Sequence, residues 1–256
     1  MPDNTRIYGD KTDIDMDMVH DLYATRAKEK REKHIDQPVV LVADRDPEQA
    51  DYWTEYEVEN ILPLFELDES SRVLEAGFGT GRMAKHLIEK AGRYVGIDYV
   101  QEFVEIARHR EDINSEKQPT FLQGSFQQLV GGEIQLPVRS FDRFFISGGV
   151  LMYINDSVIP SCLRKLLSFL DEKSIIYISE PIALNERLTL NQFFSNEMQA
   201  EYSAIYRTDA EYQDMFKPLY DAGFECIVNR PFFEEDIKAR KETRQWIYIL
   251  KRRIMR

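Results

Sequence analysis

The sequence predicts an α/β domain built around a mostly parallel sheet, and three observations support this fold class. A short apolar run, Arg72-Val73-Leu74, leads into a glycine-rich turn and then into a helical segment at 82–88. A second apolar run at 94–97 ends on Asp98. Further short apolar runs alternate with amphipathic segments along the chain, which is typical of repeated βαβ units. The first of these units predicts a nucleotide-sized crevice at the carboxyl ends of its strands.

The glycine turn, Gly77-Phe78-Gly79-Thr80-Gly81, is the candidate ligand-binding loop. Glycine lets the backbone turn sharply and approach a ligand where a side chain would collide. A dinucleotide fingerprint, G-x-G-x-x-G, would need its third glycine at position 82, which is Arg82. Here the third glycine comes one residue early, and Glu75 stands two residues before the first glycine. Asp98 follows about 20 residues later, where a carboxylate can accept hydrogen bonds from ribose hydroxyls.

This E-x-G-x-G-x-G pattern, with its helix and its second strand ending in Asp98, resembles the class I S-adenosylmethionine-dependent methyltransferases. The resemblance covers about residues 51–253 and implies S-adenosylmethionine as cofactor. It also implies a mostly parallel seven-stranded sheet with helices on both faces and an antiparallel last strand. In that family the glycine turn holds the methionine part of the cofactor, and the two acidic residues lie near its amino group and its ribose. The cofactor contacts implied here are Glu75, Gly77, Gly79, Gly81 and Asp98. A structural glycine turn in another α/β domain is the alternative.

Residues 1–50 precede the methyltransferase-like domain, which is predicted to span 51–256. The first several residues are acidic and predict a mobile leader. Residues 20–30 have helical composition and, with the apolar run at 38–42, predict a lid over the cofactor cleft. A solvated amphipathic helix is the alternative. Pro47 predicts the first turn of a long helix before the first strand of the sheet.

The remaining strands are predicted at 120–126, 140–147, 174–179, 224–228 and 245–250. The first of these runs ends at Ser125-Phe126, where many members of the resembled family carry an acidic residue near the adenine. The resemblance therefore implies cofactor contacts at Ser125 and Phe126, and also at Ser147, which ends the next strand. Tyr153 follows and is a predicted substrate contact. Asn155 or Asp156 is expected to cap the following helix.

An insertion at about 184–207 separates the fifth strand from the next helix. Members of the resembled family often build substrate specificity from such a segment, so Arg187 and Arg207 are predicted substrate contacts for an anionic group. An extra pair of surface helices, with the two arginines in surface ion pairs, is the alternative. The next helix is predicted to begin with a cap at Thr208-Asp209-Ala210-Glu211.

Methyl transfer from a sulfonium needs little catalytic chemistry, because the methyl donor is already activated and the protein mainly supplies proximity and orientation. A hydroxyl acceptor also needs a base, whereas an amine must only be neutral. Glu180, at the end of the fifth strand, is the predicted base or substrate anchor, with hydrogen bonding to a loop as the alternative role. His20 and Tyr23 are further catalytic candidates from the lid.

Composition excludes several classes of partner. The net charge is −12, with 45 acidic against 33 basic residues, which disfavours nucleic acid. The two cysteines, Cys162 and Cys226, have no metal-ligand spacing, and no catalytic metal is expected. The chain shows neither a signal-peptide core nor an apolar run near the roughly 20 residues that span a bilayer. A cytoplasmic protein with no membrane partner is therefore predicted.

The first functional hypothesis is methyl transfer to a hydroxyl of a small polar molecule, sugar-like or phosphorylated. It draws on the segment around Tyr23, which faintly resembles methyltransferases of polysaccharide and modified-sugar biosynthesis. The second is an N-methyltransferase acting on an amino group of a small molecule or peptide. The third is a regulator that binds S-adenosylmethionine without turnover. The expected partner is a small-molecule substrate, and a homodimer stays an open alternative.

Overall fold

The apolar and helical segments of the sequence form regular elements in the computed structural model, which describes residues 5–32, 47–113, 115–196, 199–234 and 241–253. The strands are β1 (Arg6–Tyr8), β2 (Arg72–Ala76), β3 (Arg93–Asp98), β4 (Thr120–Gln123), β5 (Phe141–Ile146), β6 (Leu170–Ala183), β7 (Leu188–Ser195), β8 (Ala200–Tyr206), β9 (Phe224–Pro231) and β10 (Thr243–Arg252). The α-helices are α1 (Met16–Glu32), α2 (Pro47–Tyr56), α3 (Ala84–Lys90), α4 (Gln101–Arg108), α5 (Phe126–Gly131), α6 (Ile159–Leu166), α7 (Asp209–Met215) and α8 (Lys217–Asp221).

Seven strands form one sheet in the order β4-β3-β2-β5-β6-β10-β9. The five strands from β4 to β6 pair in parallel, whereas β10 runs antiparallel to both of its neighbours. The predicted sheet, mostly parallel with an antiparallel last strand, is therefore confirmed. The order reverses direction between β2 and β5, and ligands of such sheets bind where it does so.

The central strands are buried on both faces, which explains why their sequences are continuous apolar runs. Leu74 and Phe144 face one apolar layer, which is covered by α5, α6, α7 and α8. Val73 and Phe145 face the other, which is covered by α3 and α4. Each fully buried side chain of this size contributes roughly 1.5–3 kcal/mol of hydrophobic free energy. The two layers hold the strand ends at fixed positions and so define the shape of the site.

The insertion at 184–207 is a β-hairpin rather than the pair of surface helices considered as the alternative. Strands β7 and β8 pair antiparallel, and β1 adds to the other side of β7 with Arg6 opposite Leu190. The prediction of a mobile leader is therefore wrong for residues 6–8, which form a strand. Its first four residues lie outside the described residues.

Helix α1 covers the carboxyl edge of the large sheet. Its residues Val19, Tyr23 and Ala27 are buried in an apolar cluster with Phe103 of α4 and Ile205 of β8. The chain is fixed just before α1, because the Asn155 side-chain amide accepts a hydrogen bond from the Ile14 N–H at 2.9 Å and donates one to the Ile14 carbonyl at 3.0 Å. The apolar run at 38–42 that was also predicted to belong to a lid lies outside the described residues.

Candidate active site

A cavity of about 410 Å³ lies between α1 and the carboxyl ends of β2, β3, β4 and β5. That volume lies within the range of ordinary small-molecule and cofactor pockets. The predicted residues that line it are His20, Tyr23, Gly77, Gly79, Asp98, Ser125, Phe126 and Tyr153. The structure thus brings together residues predicted from five separate stretches of the chain.

The glycine turn has the backbone conformation that its sequence predicts. Gly77 has φ +76°, and a Cβ placed on it would lie 2.3 Å from Cγ2 of Val150. Gly77 and Gly79 line the cavity, whereas Gly81 faces away from it. A Cβ on Gly81 would meet Ile113 at 3.4 Å, so this glycine packs the turn against the segment after α4. Gly81 therefore supports the turn from behind.

Asp98 lies in the floor of the cavity and holds the glycine turn. Its carboxylate accepts hydrogen bonds from the Gly79 N–H at 2.8 Å and from the Val100 N–H at 3.0 Å. Burial raises the pKa of Asp98 to about 6, although both backbone hydrogen bonds oppose the rise. Each oxygen keeps a lone pair that can accept from a ribose hydroxyl.

Glu75, predicted near the cofactor amino group, lies behind the turn and not on the cavity wall. Its side chain is 2% exposed and accepts a hydrogen bond from the Tyr94 hydroxyl at 2.5 Å. Burial raises the pKa of Glu75 to about 8. The carboxyl group and Tyr94 thus form a buried pair beneath the loop.

Ser125 and Phe126 line the cavity at the end of β4, as predicted, but both also have structural contacts. Ser125 is the N-cap of α5 and forms a capping box with Gln128. The Phe126 ring stacks on Phe144, with ring centroids 5.6 Å apart. These contacts fix the cavity wall at the end opposite the glycine turn.

The segment 150–154, which follows β5, is clamped by two buried charged side chains. Glu180 accepts hydrogen bonds from the N–H groups of Val150, Leu151 and Met152 at 2.7, 2.8 and 3.2 Å. Burial raises the pKa of Glu180 to about 7. The carboxylate is completely buried and does not line the cavity, so its position matches the loop-bonding role considered as the alternative to a base.

Arg207 clamps the same segment through its carbonyl groups. The guanidinium is completely buried and donates to the Leu151 carbonyl at 2.8 Å and to the Ile154 carbonyl at 2.6 Å. Its Nε donates to Asp156 at 2.9 Å. The group lies behind the wall, with its donors directed to the protein and not toward a substrate.

Arg187, the other predicted substrate contact, belongs to the same ion-pair network. It donates to both carboxylate oxygens of Asp156 at 2.9 Å and to Glu211 at 3.0 Å, and it does not line the cavity. The predicted cap at Asn155 or Asp156 is wrong, because α6 begins later, at Ile159. Asn155 instead holds Ile14, and Asp156 holds the two arginines.

Tyr153 belongs to the clamped segment, lines the cavity and bonds other tyrosines through its hydroxyl group. The hydroxyl oxygens of Tyr23 and Tyr153 lie 2.5 Å apart, and Tyr153 is 3.2 Å from Tyr202, which is 3.2 Å from Tyr206. The four hydroxyls form a chain from α1 to β8. Burial raises the pKa of Tyr153 well above its ordinary value, so this hydroxyl stays protonated.

His20 lies on the cavity wall contributed by α1. Its ring meets Tyr99 edge-on, with centroids 5.1 Å apart, and its Nδ1 lies 3.2 Å from Asp21 Oδ1. The side chain is 40% exposed, so proton exchange with solvent is open to it. His20 therefore has access to both the cavity and the solvent.

Ser147 does not line the cavity, and its position reveals two residues that the sequence prediction missed. Its hydroxyl donates to Glu57 Oε1 at 2.5 Å and accepts from Arg82 Nη2 at 3.0 Å. Glu57 is 1% exposed. It stands four residues from both Trp53 and Ile61, on the apolar face of the helical segment. A carboxylate at that position was the sequence signal that could have identified it.

The described part of the chain contains neither a membrane-spanning helix nor a metal-binding cluster. Its helices are too short or too polar to cross a bilayer. Among the same residues, no group of three or more His, Cys, Asp or Glu side chains is arranged to hold a metal ion.

The chain is similar to known proteins over its central part. Residues 73–173 match a family model described as a methyltransferase domain. Phosphoethanolamine N-methyltransferase 3 of Arabidopsis thaliana is 28% identical over 121 residues, which is 47% of this chain and 23% of that protein. Phosphoethanolamine N-methyltransferase 1 of Triticum aestivum is 29% identical over 126 residues, 48% of this chain and 23% of that protein. The similar region is therefore less than a quarter of the length of these curated relatives.

Solved structures extend the likeness to nearly the whole chain. Phosphoethanolamine N-methyltransferase 1 of Haemonchus contortus, in complex with phosphoethanolamine and S-adenosylhomocysteine, has a TM-score of 0.65 at 16% identity. The alignment covers 93% of this chain and 50% of that one. Magnesium protoporphyrin IX methyltransferase of Synechocystis PCC 6803, with bound S-adenosylmethionine, has a TM-score of 0.61 at 18% identity, covering 95% of this chain and 100% of that one. These likenesses show the fold.

Proposed function

We propose that this chain, which carries a methyltransferase domain with the class I fold, transfers a methyl group from S-adenosylmethionine to an amino group of a small polar molecule. The cavity fits the cofactor in three respects. Gly77 and Gly79 present backbone without a side chain to the cavity, Asp98 offers carboxylate lone pairs for ribose, and the volume of about 410 Å³ suits a nucleoside with its substituent. Bound S-adenosylmethionine supplies an activated methyl group open to in-line displacement.

The observation that carries the choice of an amine is the placement of the expected base. Glu180 is bound to three backbone N–H groups and does not line the cavity. The residues Tyr23 and Tyr153 do line it, and burial holds Tyr153 in its protonated form. These groups can hold and orient a neutral amine, which needs no base before attack. The relatives that are phosphoethanolamine N-methyltransferases support the same acceptor class.

The charges around the cavity argue against the phosphorylated acceptor that the sequence analysis considered. Asp17 and Asp98 line it, and the lining contributed by the described residues includes no lysine or arginine. Two carboxylates without a facing cation favour a neutral or cationic acceptor over one that carries phosphate. Ethanolamine and phosphoethanolamine form a matched pair that tests this preference.

A hydroxyl acceptor is the second candidate, and His20 is the observation that favours it. The imidazole lines the cavity and is partly exposed, so it can take a proton from a hydroxyl and release it to solvent. Substitution of His20 by Gln would then abolish transfer to a hydroxyl, whereas transfer to an amine would continue.

Two measurements test the proposal. Calorimetric titrations with S-adenosylmethionine and with NAD establish the cofactor, and NAD binding alone would overturn it. Transfer of a radiolabelled methyl group is then measured over ethanolamine, phosphoethanolamine, other amines, sugars and sugar nucleotides, with the product identified by mass spectrometry. Methylated amine supports the proposal, and methylated hydroxyl alone supports the second candidate. Binding of S-adenosylmethionine without any transfer across the panel would favour the regulator hypothesis.

A further inference from the structure

Glu57 occupies an unusual backbone position just behind the glycine turn. Residues Glu57–Ile61 form a single π-helical turn between α2 and the 3-10 turn Leu62–Phe65. Such turns are rare and occur frequently at functional sites. The carboxylate is 1% exposed, and burial of a charge is costly unless partners compensate it. Two unfavourable features are therefore maintained at one residue.

The partners of Glu57 come from three separate elements. Oε1 accepts hydrogen bonds from the Ser147 hydroxyl at 2.5 Å and from the Tyr177 hydroxyl of β6 at 2.7 Å. Oε2 pairs with the Arg82 guanidinium at 2.8 Å. Arg82 also donates to Ser147 at 3.0 Å, which closes the network. One carboxylate thus ties α2, the residue after the glycine turn and the exit of β5 together.

These partners adjoin both walls of one end of the cavity. Arg82 directly follows Gly81 of the glycine turn, and Ser147 precedes Gly149 and Val150, which line the opposite wall. The two walls touch where Gly77 meets Val150. The other end of the cavity is lined by Tyr99 and by residues 123–128, and the contacts of Glu57 do not extend there. The contacts of the network therefore lie beside the glycine end of the cavity.

We propose that Glu57 is a positioning residue for the amino-acid end of S-adenosylmethionine, acting through Arg82 and Ser147. The assignment rests on the proposed function and on Asp98 as the ribose contact at the middle of the cavity. The resemblance to class I methyltransferases implies that the amino-acid end lies toward the glycine turn, which leaves residues 123–128 for the adenine. Loss of the Glu57 charge leaves Arg82 without its buried partner, and the gap between the two walls is no longer fixed.

A matched pair of ligands tests this assignment without knowledge of the acceptor. S-adenosylhomocysteine and 5′-methylthioadenosine share the nucleoside and the sulfur, but only the first has the amino and carboxylate groups. Glu57→Gln is expected to weaken S-adenosylhomocysteine binding about tenfold in calorimetry, the loss expected for one well-placed polar contact. Binding of 5′-methylthioadenosine is expected to change less than about twofold, because the nucleoside end keeps its contacts.

Two further variants separate positioning from general damage. Tyr177→Phe removes one hydrogen bond to Glu57 but keeps the ion pair, so it is expected to fold and to show the same selective loss on a smaller scale. Glu66→Gln removes an exposed carboxylate that pairs with Lys251, and it is expected to bind both ligands as the unmodified chain does.

Each outcome decides the assignment. Selective loss of S-adenosylhomocysteine in Glu57→Gln, or in Tyr177→Phe if the first variant does not fold, supports it. Equal weakening of both ligands, or no change in either, overturns it while the proposed function stands. If the unmodified chain binds neither ligand, the proposed function fails, and this assignment fails with it.

Discussion

The hydroxyl oxygens of Tyr23 and Tyr153 lie 2.5 Å apart, across the boundary between α1 and the segment that follows β5. Tyr153 is held from behind, since Glu180 binds the N–H groups and Arg207 the carbonyls of its segment. Both tyrosines line the cavity. The helix that covers the site and the segment after β5 are therefore joined by a hydrogen bond between two residues of the cavity lining.

Tyr153→Phe should impair methyl transfer without impairing cofactor binding. The ring remains, but the hydroxyl that bonds Tyr23 and Tyr202 is lost. Acceptor kcat/KM should fall about tenfold, while S-adenosylmethionine affinity changes less than about twofold. Steady-state kinetics and calorimetry measure the two effects. Tyr8→Phe, which removes the hydroxyl of an exposed side chain in the three-stranded sheet of β1, β7 and β8, serves as the control. An equal fall in acceptor kcat/KM in both variants would contradict a role for the Tyr153 hydroxyl in methyl transfer.

Arg207→Met should destabilise the fold. The variant leaves the carbonyls of Leu151 and Ile154 without a buried donor and deprives Asp156 of a charged partner. The free energy of unfolding in urea should fall by about 3–5 kcal/mol. Arg164→Met, on the exposed face of α6, should change it by about 0.5 kcal/mol or less. A stable Arg207 variant with a raised acceptor KM would restore the substrate-binding role predicted from sequence.

Two glycines with nearly equal positive φ angles distinguish the effect of backbone strain from that of a side-chain collision. Gly77 and Gly132 have φ of +76° and +79°, but a Cβ meets Val150 at 2.3 Å on the first and nothing within 4 Å on the second. Gly132→Ala should cost about 1 kcal/mol of stability and leave cofactor binding unchanged. Gly77→Ala should cost about 1–3 kcal/mol more and weaken S-adenosylmethionine binding. Similar effects in urea and calorimetry would mean that the contact with Val150 is not close.

Asp98→Ala should weaken S-adenosylmethionine binding by roughly 1–3 kcal/mol, because a ribose contact and two hydrogen bonds that hold the turn are lost. Calorimetric titration measures the change. Asp214→Ala, at an exposed position of α7, controls for the lost charge. Unchanged binding in a folded Asp98 variant would place the cofactor elsewhere.

Glu75 should make stability depend on pH. Its pKa is about 8 in the fold and 4.5 ordinarily, so the folded state holds a proton that the unfolded state releases between these values. The stabilising contribution is complete below about pH 4.5 and is lost as pH rises through about 8. Glu75→Gln removes this loss, and its free energy of unfolding should fall less steeply with pH, by up to about 1.4 kcal/mol per pH unit. Urea unfolding between about pH 5.5 and about pH 8.5 measures the slopes, and parallel slopes would contradict the burial of Glu75.

The methyltransferase domain and the sheet could be predicted because their determinants are local. The strands are continuous apolar runs, and the order of Glu75, the three glycines and Asp98 is fixed along the chain. The family match and the shared fold confirm the class I methyltransferase resemblance. The polysaccharide association had no comparable local signal and stays a prediction.

The roles of polar residues at the strand ends were harder to predict, because their partners are distant in sequence. Glu180 bonds residues about 30 positions earlier, and Arg207 bonds carbonyls more than 50 positions earlier. Position at a strand end gives proximity to the cavity but not the direction of the side chain. Only the folded loop shows that these charges face the backbone, in agreement with the general rule that buried charges are paired.

The three-stranded sheet of β1, β7 and β8 has a consequence for the construction of chimaeras. Strand β1 precedes the covering helix and pairs with β7 of the insertion, while Tyr202 of β8 bonds Tyr153. A chimaera that receives only residues 184–207 of another protein would keep a foreign hairpin against its own β1 and tyrosines. Because residues 5–32 and 184–207 pack together, we expect a chimaera to keep its stability only when both segments move together.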